Sequence, residues 1–202
     1  MMSTRDERPR TDHELVQIVD AALVQNAKRS GKWLACRPGC TQCCVGVFEI
    51  SQLDAVRLRE GLTELERTDA TRAAALRNRV ESSRRRLTQN FPGDARTGVL
   101  NDDEASFATF GNDETCPVLD PKTGTCDLYA QRPMTCRVFG PPVRVDGGLG
   151  TCELCFQGAD QQEIECCELV SDPHDLESAV TNEYESKSGR RGKTVVAWGI
   201  MD

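Results

Sequence analysis

Cys36-Arg37-Pro38-Gly39-Cys40-Thr41-Gln42-Cys43-Cys44 places four thiols in nine residues. A buried cysteine packs as a small hydrophobe, and an apolar core has no reason to repeat one at this density. Thiolates that converge on one ion do, because each sulfur must reach the metal at about 2.3 Å. Pro38 and Gly39 let the backbone turn between the first two thiols. The adjacent pair Cys43 and Cys44 adds a constraint, since neighbouring side chains diverge by about 100° on a helix and point oppositely on a strand. The pair therefore suggests two neighbouring sites, or one ligand beside a spare thiol.

Partners for this stretch lie in the second half of the chain. Cys116, Cys126 and Cys136 recur at ten-residue intervals, Cys152-Glu153-Leu154-Cys155 is a C-x2-C, and Cys166-Cys167 is another adjacent pair. The two regions are separated by about seventy residues, so a shared metal would close a long loop.

Composition agrees with a fold that needs such closure. The chain has 202 residues, enough for one domain or one domain with an appendage. Its hydrophobic share of 38% and aromatic share of 5% are low for a large apolar core, so metal crosslinks would have to supplement packing. The 11 cysteines could be disulfides or ligands. The start, Met1 to Arg8, shows no apolar segment of a secretory signal, and no run of about eighteen apolar residues suggests a membrane helix. A cytoplasmic location with reduced thiols follows, and it favours ligands over disulfides. Residues 1–99 carry 17 basic and 13 acidic groups, and residues 100–202 carry 8 and 19. The net charge of −7 argues against nucleic acid as the main partner. A protein partner stays open, as does the oligomeric state.

The pattern along the chain predicts a flexible terminus at 1–10, then a Cys-cluster domain over 11–155 and an acidic C-terminal extension over 156–202. Within the domain, 11–90 reads as helical, 92–115 as an acidic linker and 116–155 as the Cys-rich part. Thr11 with Glu14 resembles a capping box, and Leu15, Ile18, Val19, Ala22 and Leu23 form an apolar stripe that should end near Ser30-Gly31. Ser51 is a good N-cap for a helix ending near Gly61. A longer helix is expected from about Thr63 to Gln89, with Leu65, Ala73, Leu76, Val80 and Leu87 on one face. Its other face carries Arg72, Arg77, Arg79 and Arg84 to Arg86, which reads as a solvated face or a docking surface for an acidic partner. Asp120 to Gly124 reads as a turn, Arg132-Pro133 as the start of a short turn or helix carrying Cys136, and Val143 to Gly148 as a strand entering a hairpin turn. Residues 157–186 read as helical with a break at Asp172-Pro173, and Thr194 to Trp198 as a strand or a docked tail. The fold class is therefore mainly α with an irregular, Cys-rich C-terminal half, a small α+β protein.

The order Cys36-x3-Cys40-x2-Cys43-Cys44, Cys116-Pro117-x-Leu119, Gly124-x-Cys126-x2-Tyr129-x2-Arg132-Pro133-x2-Cys136-Arg137-x-Phe139 and Cys152 resembles the YkgJ-type cysteine cluster family. That family is described as a zinc- or iron-chelating, CxxCxxCC domain. The resemblance spans roughly Leu34 to Cys155 and implies metal binding, with zinc or an iron–sulfur cluster as cofactor. The ligand candidates it marks are Cys36, Cys40, Cys43, Cys44, Cys116, Cys126, Cys136 and Cys152. Cys155, Cys166 and Cys167 fall outside the secure match. Thiolate-only ligation suits zinc or iron–sulfur clusters, and His13 and His174 stand apart from the cysteines. Arg132 and Arg137 would offset the thiolates' charge, or pair with Asp127 or Glu153.

Enzyme readings are weaker. Cys36-x3-Cys40-x2-Cys43 has the spacing of the radical S-adenosylmethionine loop, but no alternation of strands and helices follows it. A relative of the family, the flagellin lysine N-methylase, suggests an iron–sulfur-dependent enzyme or redox protein acting on a protein substrate. Gly147-Gly148-Leu149-Gly150 does not sit at a strand-to-helix turn, however, and no cofactor-binding element is found. Cys152-x2-Cys155 lacks the βαβ context of a thioredoxin-like motif. No catalytic residue is singled out. A metal-binding protein that is not an enzyme is the preferred reading.

Overall fold

In the computed structural model, which describes residues 8–145 and 147–201, Pro9 opens the first helix. Its φ of −56° is fixed by the ring, and its carbonyl accepts from the Asp12 amide at 3.0 Å. Helix α1 runs Arg10–Ser30, so the capping box expected at Thr11 and Glu14 does not form. Gly31, at a φ of 49°, ends it where expected. Residues 1–7 of the expected flexible terminus, and Asp146 of the expected hairpin turn, lie outside the described residues.

Downstream come β1 (Glu49–Ile50), α2 (Gln52–Thr68), α3 (Ala70–Leu87), β2 (Gly93–Asp94), β3 (Val99–Leu100) and α4 (Glu104–Phe107). They are followed by β4 (Leu119–Asp120), β5 (Thr125–Cys126), α5 (Met134–Val138), β6 (Val143–Val145) and β7 (Gly148–Gly150). The chain continues through α6 (Gln161–Cys166), α7 (Leu176–Ser188), β8 (Thr194–Val195) and α8 (Val196–Gly199). Helix makes up 52% of the chain, and the sheets have two antiparallel strands each, so the fold is mainly α with small α+β elements, as expected.

The chain divides into two compact units. Among the described residues, one comprises Arg8, 39–133 and 181–201; the other comprises 9–38 and 134–180.

In the first unit, Ser51 caps α2 in a full capping box with Asp54, whose carboxylate also takes a 2.5 Å bond from the buried Arg57 guanidinium. The helix does not end at Gly61. A Cβ there would lie 2.9 Å from Gln131 Cγ, so Gly61 permits close approach of the 129–131 turn inside a continuous helix. The break falls at Asp69, whose side chain accepts from the Arg72 amide at 3.0 Å and starts α3. Leu58, Leu62 and Leu65 face Ala73, Leu76 and Val80, and Ile50, Val118, Leu128, Val196 and Ile200 complete this core. The 92–115 stretch holds the β2–β3 hairpin and α4, and its Leu100 and Phe110 pack with Phe91 and Trp198. The Phe91 and Trp198 rings are 4.4 Å apart. Strand β8 pairs with β1, matching Glu49 with Val195, and the Arg59 guanidinium donates to the Gly199 carbonyl at 2.9 Å. The tail thus both adds a strand and docks on the core.

In the second unit, α1 buries Asp12, Leu15, Val19, Asn26 and Ser30, a helical period that turns Ile18 outward at 46% exposure. Leu15 and Val19 pack on Met134 of α5. Farther along α1, the Asn26 amide donates to the Cys167 carbonyl at 2.6 Å and accepts from the Ser30 hydroxyl at 2.9 Å. The Arg144 guanidinium pairs with Glu168, and the Leu169 amide bonds the Pro142 carbonyl at 2.7 Å.

Candidate metal centre

Backbone pairing brings the early thiols of the first unit to the late ones. Gly46 and Val47 donate to the carbonyls of Glu114 and Gly111, Val45 bridges Thr115, and the Cys116 amide donates to the Cys44 carbonyl at 2.8 Å. The β4–β5 hairpin then turns the chain back, with Leu119 opposite Cys126. Two residues beyond each late cysteine, Val118 and Leu128 are sunk in the core, and Cys116 and Cys126 pack against the same cluster. Each anchor buries an aliphatic side chain worth about 1.5–3 kcal/mol, which holds the cysteine loop to the helices.

Electrostatics fix the same loop from outside. Asp127, next to Cys126, has a fully buried side chain that receives the guanidinium groups of both Arg72 and Arg79. Arg79 also donates to the Pro117 carbonyl at 2.9 Å. Arg77 pairs with Glu66, and Arg86 with Glu114 at 2.5 Å. Much of the arginine face of α3 is therefore paired with this unit's own acids, while Arg72, Arg85 and Arg86 stay exposed to solvent.

The thiols of this group feel one another. A hydrogen bond from Cys44, aided by Arg132, draws the Cys43 thiol down to about 6. Cys44 is raised by that bond, by burial, and by the charges that would form at Cys43, Cys116 and Cys126. Burial pushes Cys116 up to about 12 and raises Cys126 as well. Burial and the neighbouring thiols thus oppose ionisation of Cys44, Cys116 and Cys126. Arg132 stacks over Tyr129, 4.0 Å from the ring centre, and donates to the Tyr129 carbonyl at 2.8 Å. Cys40 belongs to the same unit and is half-buried.

The second unit holds Cys36, Cys136 and Cys152 with Cys155, Cys166 and Cys167. The sulfurs of Cys36 and Cys155 are 3.9 Å apart. Two sulfurs bound to one tetrahedral ion at about 2.3 Å would be about 3.8 Å apart. The Cys155 amide donates to the Cys152 carbonyl at 2.8 Å, the Cys152 amide to the Gly140 carbonyl at 3.3 Å, and the Phe156 amide to the Trp33 carbonyl at 2.8 Å. Cys152, Cys155 and Cys167 are buried together against Trp33, Leu34 and Ala35. Gly140, at a φ of 123°, makes room for the Cys36 thiol, because a Cβ there would meet Cys36 Sγ at 2.7 Å. Cys136 is half-buried on α5, whose Arg137 pairs with Asp20 at 2.7 Å. His13 and His174 are exposed.

No disulfide joins any of the eleven cysteines, all of which are described. Among the described residues, no three His, Cys, Asp or Glu side chains already grip a common point. The donor set in each unit is thiol, which fits zinc or iron rather than magnesium or calcium. Sequence reasoning left out Cys155, although its C-x2-C spacing to Cys152 was the available signal. It named Asp127 as a partner for Arg132 or Arg137, whereas Arg72 and Arg79 hold it, a pairing for which spacing offers no signal.

Gly140→Ala is expected to push Cys36 off its partner and to lower bound metal. The decrease should appear in elemental analysis with the Cys43 to Cys126 group still loaded; unchanged metal content would show that Cys36 plays no part.

No helix among the described residues is long and apolar enough to cross a membrane. No curated protein and no solved structure matches the chain. The family model CxxCxxCC, described as "Putative zinc- or iron-chelating domain", matches residues 35–155. Here the first gap of the motif is one residue longer, Cys36-x3-Cys40, and the division between the two units falls within it, after Pro38. With more than half of its length matched, and nine of its eleven cysteines inside the match, the chain belongs to this family of zinc- or iron-chelating domains.

Proposed function

We propose that the protein binds zinc or an iron–sulfur cluster through two separate thiolate centres, one in each unit. The first draws on Cys43, Cys44, Cys116 and Cys126, with Cys40 beside them in sequence. The second draws on Cys36, Cys136, Cys152 and Cys155. The observation that carries the reading is the backbone pairing that sets Cys44 beside Cys116 and folds Cys126 back through the β4–β5 hairpin. Thiols distant in sequence thus converge in one unit, where a divalent cation could hold them as thiolates. Zinc would crosslink the chain, whereas a cluster would add one-electron chemistry. The protein's own residues supply the ligands, the hairpin that presents them, and the arginines that hold the hairpin. The reading includes a reducing compartment, the cytoplasm, because exposed Cys36 and Cys166 would otherwise oxidise.

Anaerobic purification followed by elemental analysis for zinc, iron and acid-labile sulfide tests it. Stoichiometric zinc without colour, or iron with matching sulfide and a brown chromophore, is the expected result and chooses between the two metals. Absence of both would overturn the proposal.

A further inference from the structure

Cys36 and Cys155 stand 119 residues apart in sequence, yet their sulfurs lie 3.9 Å from each other within the second unit. Backbone bonds set that approach. The Phe156 amide donates to the Trp33 carbonyl at 2.8 Å, which ties the segment before Cys36 to the residue after Cys155. The Cys155 amide is itself held on the Cys152 carbonyl at 2.8 Å, and Gly140 clears the space beside Cys36 Sγ. The fold has thus already closed the long loop that would otherwise keep two such thiols apart.

The two thiols differ in access. Cys155 is only 2% exposed and packs with Cys152, Phe156 and Cys167 against Trp33, Leu34 and Ala35. Cys36 is exposed, whereas every other cysteine assigned to the two centres is half-buried or buried. A small oxidant therefore meets Cys36 first, with a second sulfur directly behind it. An accessible thiol poised next to a resolving thiol ends as a reversible disulfide before it reaches the irreversible oxidation states.

We propose that Cys36 and Cys155 form a peroxide-modification site, in which Cys36 takes the oxidant and Cys155 resolves it. The Cys36 sulfur attacks one oxygen of hydrogen peroxide, the O–O bond breaks, and the other oxygen leaves as water with the thiol proton. The Cys155 sulfur then attacks the sulfur of the Cys36 sulfenic acid. The S–O bond breaks, a second water leaves with the Cys155 proton, and the S–S bond forms. The two thiols lose two electrons, which reduce the peroxide to two waters. The sulfurs close from 3.9 Å to about 2.05 Å, a movement that rotation of the exposed Cys36 side chain supplies. The consequence for metal rests on the two-centre reading: the disulfide withdraws two ligands from the second centre and none from the first. Oxidation then unloads one unit only, and a dithiol reductant restores both thiols.

The full-length protein as isolated is treated with one equivalent of hydrogen peroxide, and the remaining thiols are alkylated without reduction. Peptide mapping by mass spectrometry locates the disulfide, and elemental analysis follows the metal retained. A Cys36–Cys155 linkage that dithiothreitol reverses is expected. Cys155→Ser should instead leave a Cys36 sulfenic acid that dimedone traps, and Cys36→Ser should leave Cys155 reduced. Cys166→Ser, which lacks the other exposed thiol, should form the linkage as the wild type does. No Cys36–Cys155 linkage, linkage of Cys36 to Cys152 or Cys167 instead, or equal oxidation of Cys155 in Cys36→Ser would overturn the site. A linkage that forms with all metal retained upholds the site and removes Cys36 and Cys155 from the second centre.

Discussion

Cys116→Ser should release the metal of one unit and leave that of the other in place, while Cys152→Ser does the reverse. The double variant should then bind none. Each thiolate set lies within a single compact unit, so the two losses should add rather than overlap. A thiolate centre contributes a large share of a small domain's stability: structural zinc is worth about 10–16 kcal/mol in short peptides, against a total folding stability of about 5–15 kcal/mol. Losing one ligand should therefore cost several kcal/mol and lower Tm by at least about 10 °C in a chain of this size. Acid should act like the substitution, because protons compete with the metal for thiolates and occupancy falls as pH falls. Elemental analysis of the three variants, with thermal melts of each, decides the matter. If either single variant lost all metal, the thiols would form one shared centre; if both kept it all, neither cysteine would be a ligand.

Asp127→Ala should be nearly as damaging, although Asp127 is no ligand. Its carboxylate has no solvent exposure and receives two guanidinium groups, and its removal leaves Arg79, with 24% of its side chain exposed, without its charged partner. Truncating one member of a buried ion pair typically costs about 3–5 kcal/mol. The Asp127 amide also donates to the Val118 carbonyl at 2.9 Å, so the side chain and the backbone clamp the two ends of the cysteine hairpin together. Lower metal affinity should accompany the lost stability. Asp127→Asn keeps the shape and loses the charge, and should fall between the two. Metal competition against a chromogenic chelator and urea unfolding measure both effects. An Asp127→Ala protein with wild-type stability would show that the arginines find other partners.

What was readable in the sequence was what neighbouring residues decide. Ser51 capped its helix, Gly31 ended one, Asp120 to Gly124 turned a hairpin, and the stripe from Leu65 to Leu87 went into the core. What misled was a residue with two uses. Gly61 reads as a helix stop by composition, but its missing side chain serves a contact with Gln131, seventy positions away. Pro9 outcompeted Thr11 as the start of α1 because a fixed φ needs no side-chain bond. The ion pairs of the α3 arginines could not be read, because their partners, Asp127 and Glu114, are remote in sequence. Cysteine density exposed the candidate centre at once, and the division of its members between two units was not visible, because Cys36 and Cys40 are near neighbours in the chain. Spacing says which residues share chemistry; only the fold says which of them share a place.

The pairing of β1 with β8, and the Arg59 bond to Gly199 across 140 residues, also set a timetable. At about 5–20 residues per second, translation needs on the order of ten seconds to deliver the second strand after the first. During that interval Cys40, Cys43 and Cys44 have left the ribosome, while the core that will hold their neighbours still lacks Val196, Trp198 and Ile200. The thiols of the first unit are thus exposed to solvent before their scaffold is complete, and the last strand closes over a loop that has already been made.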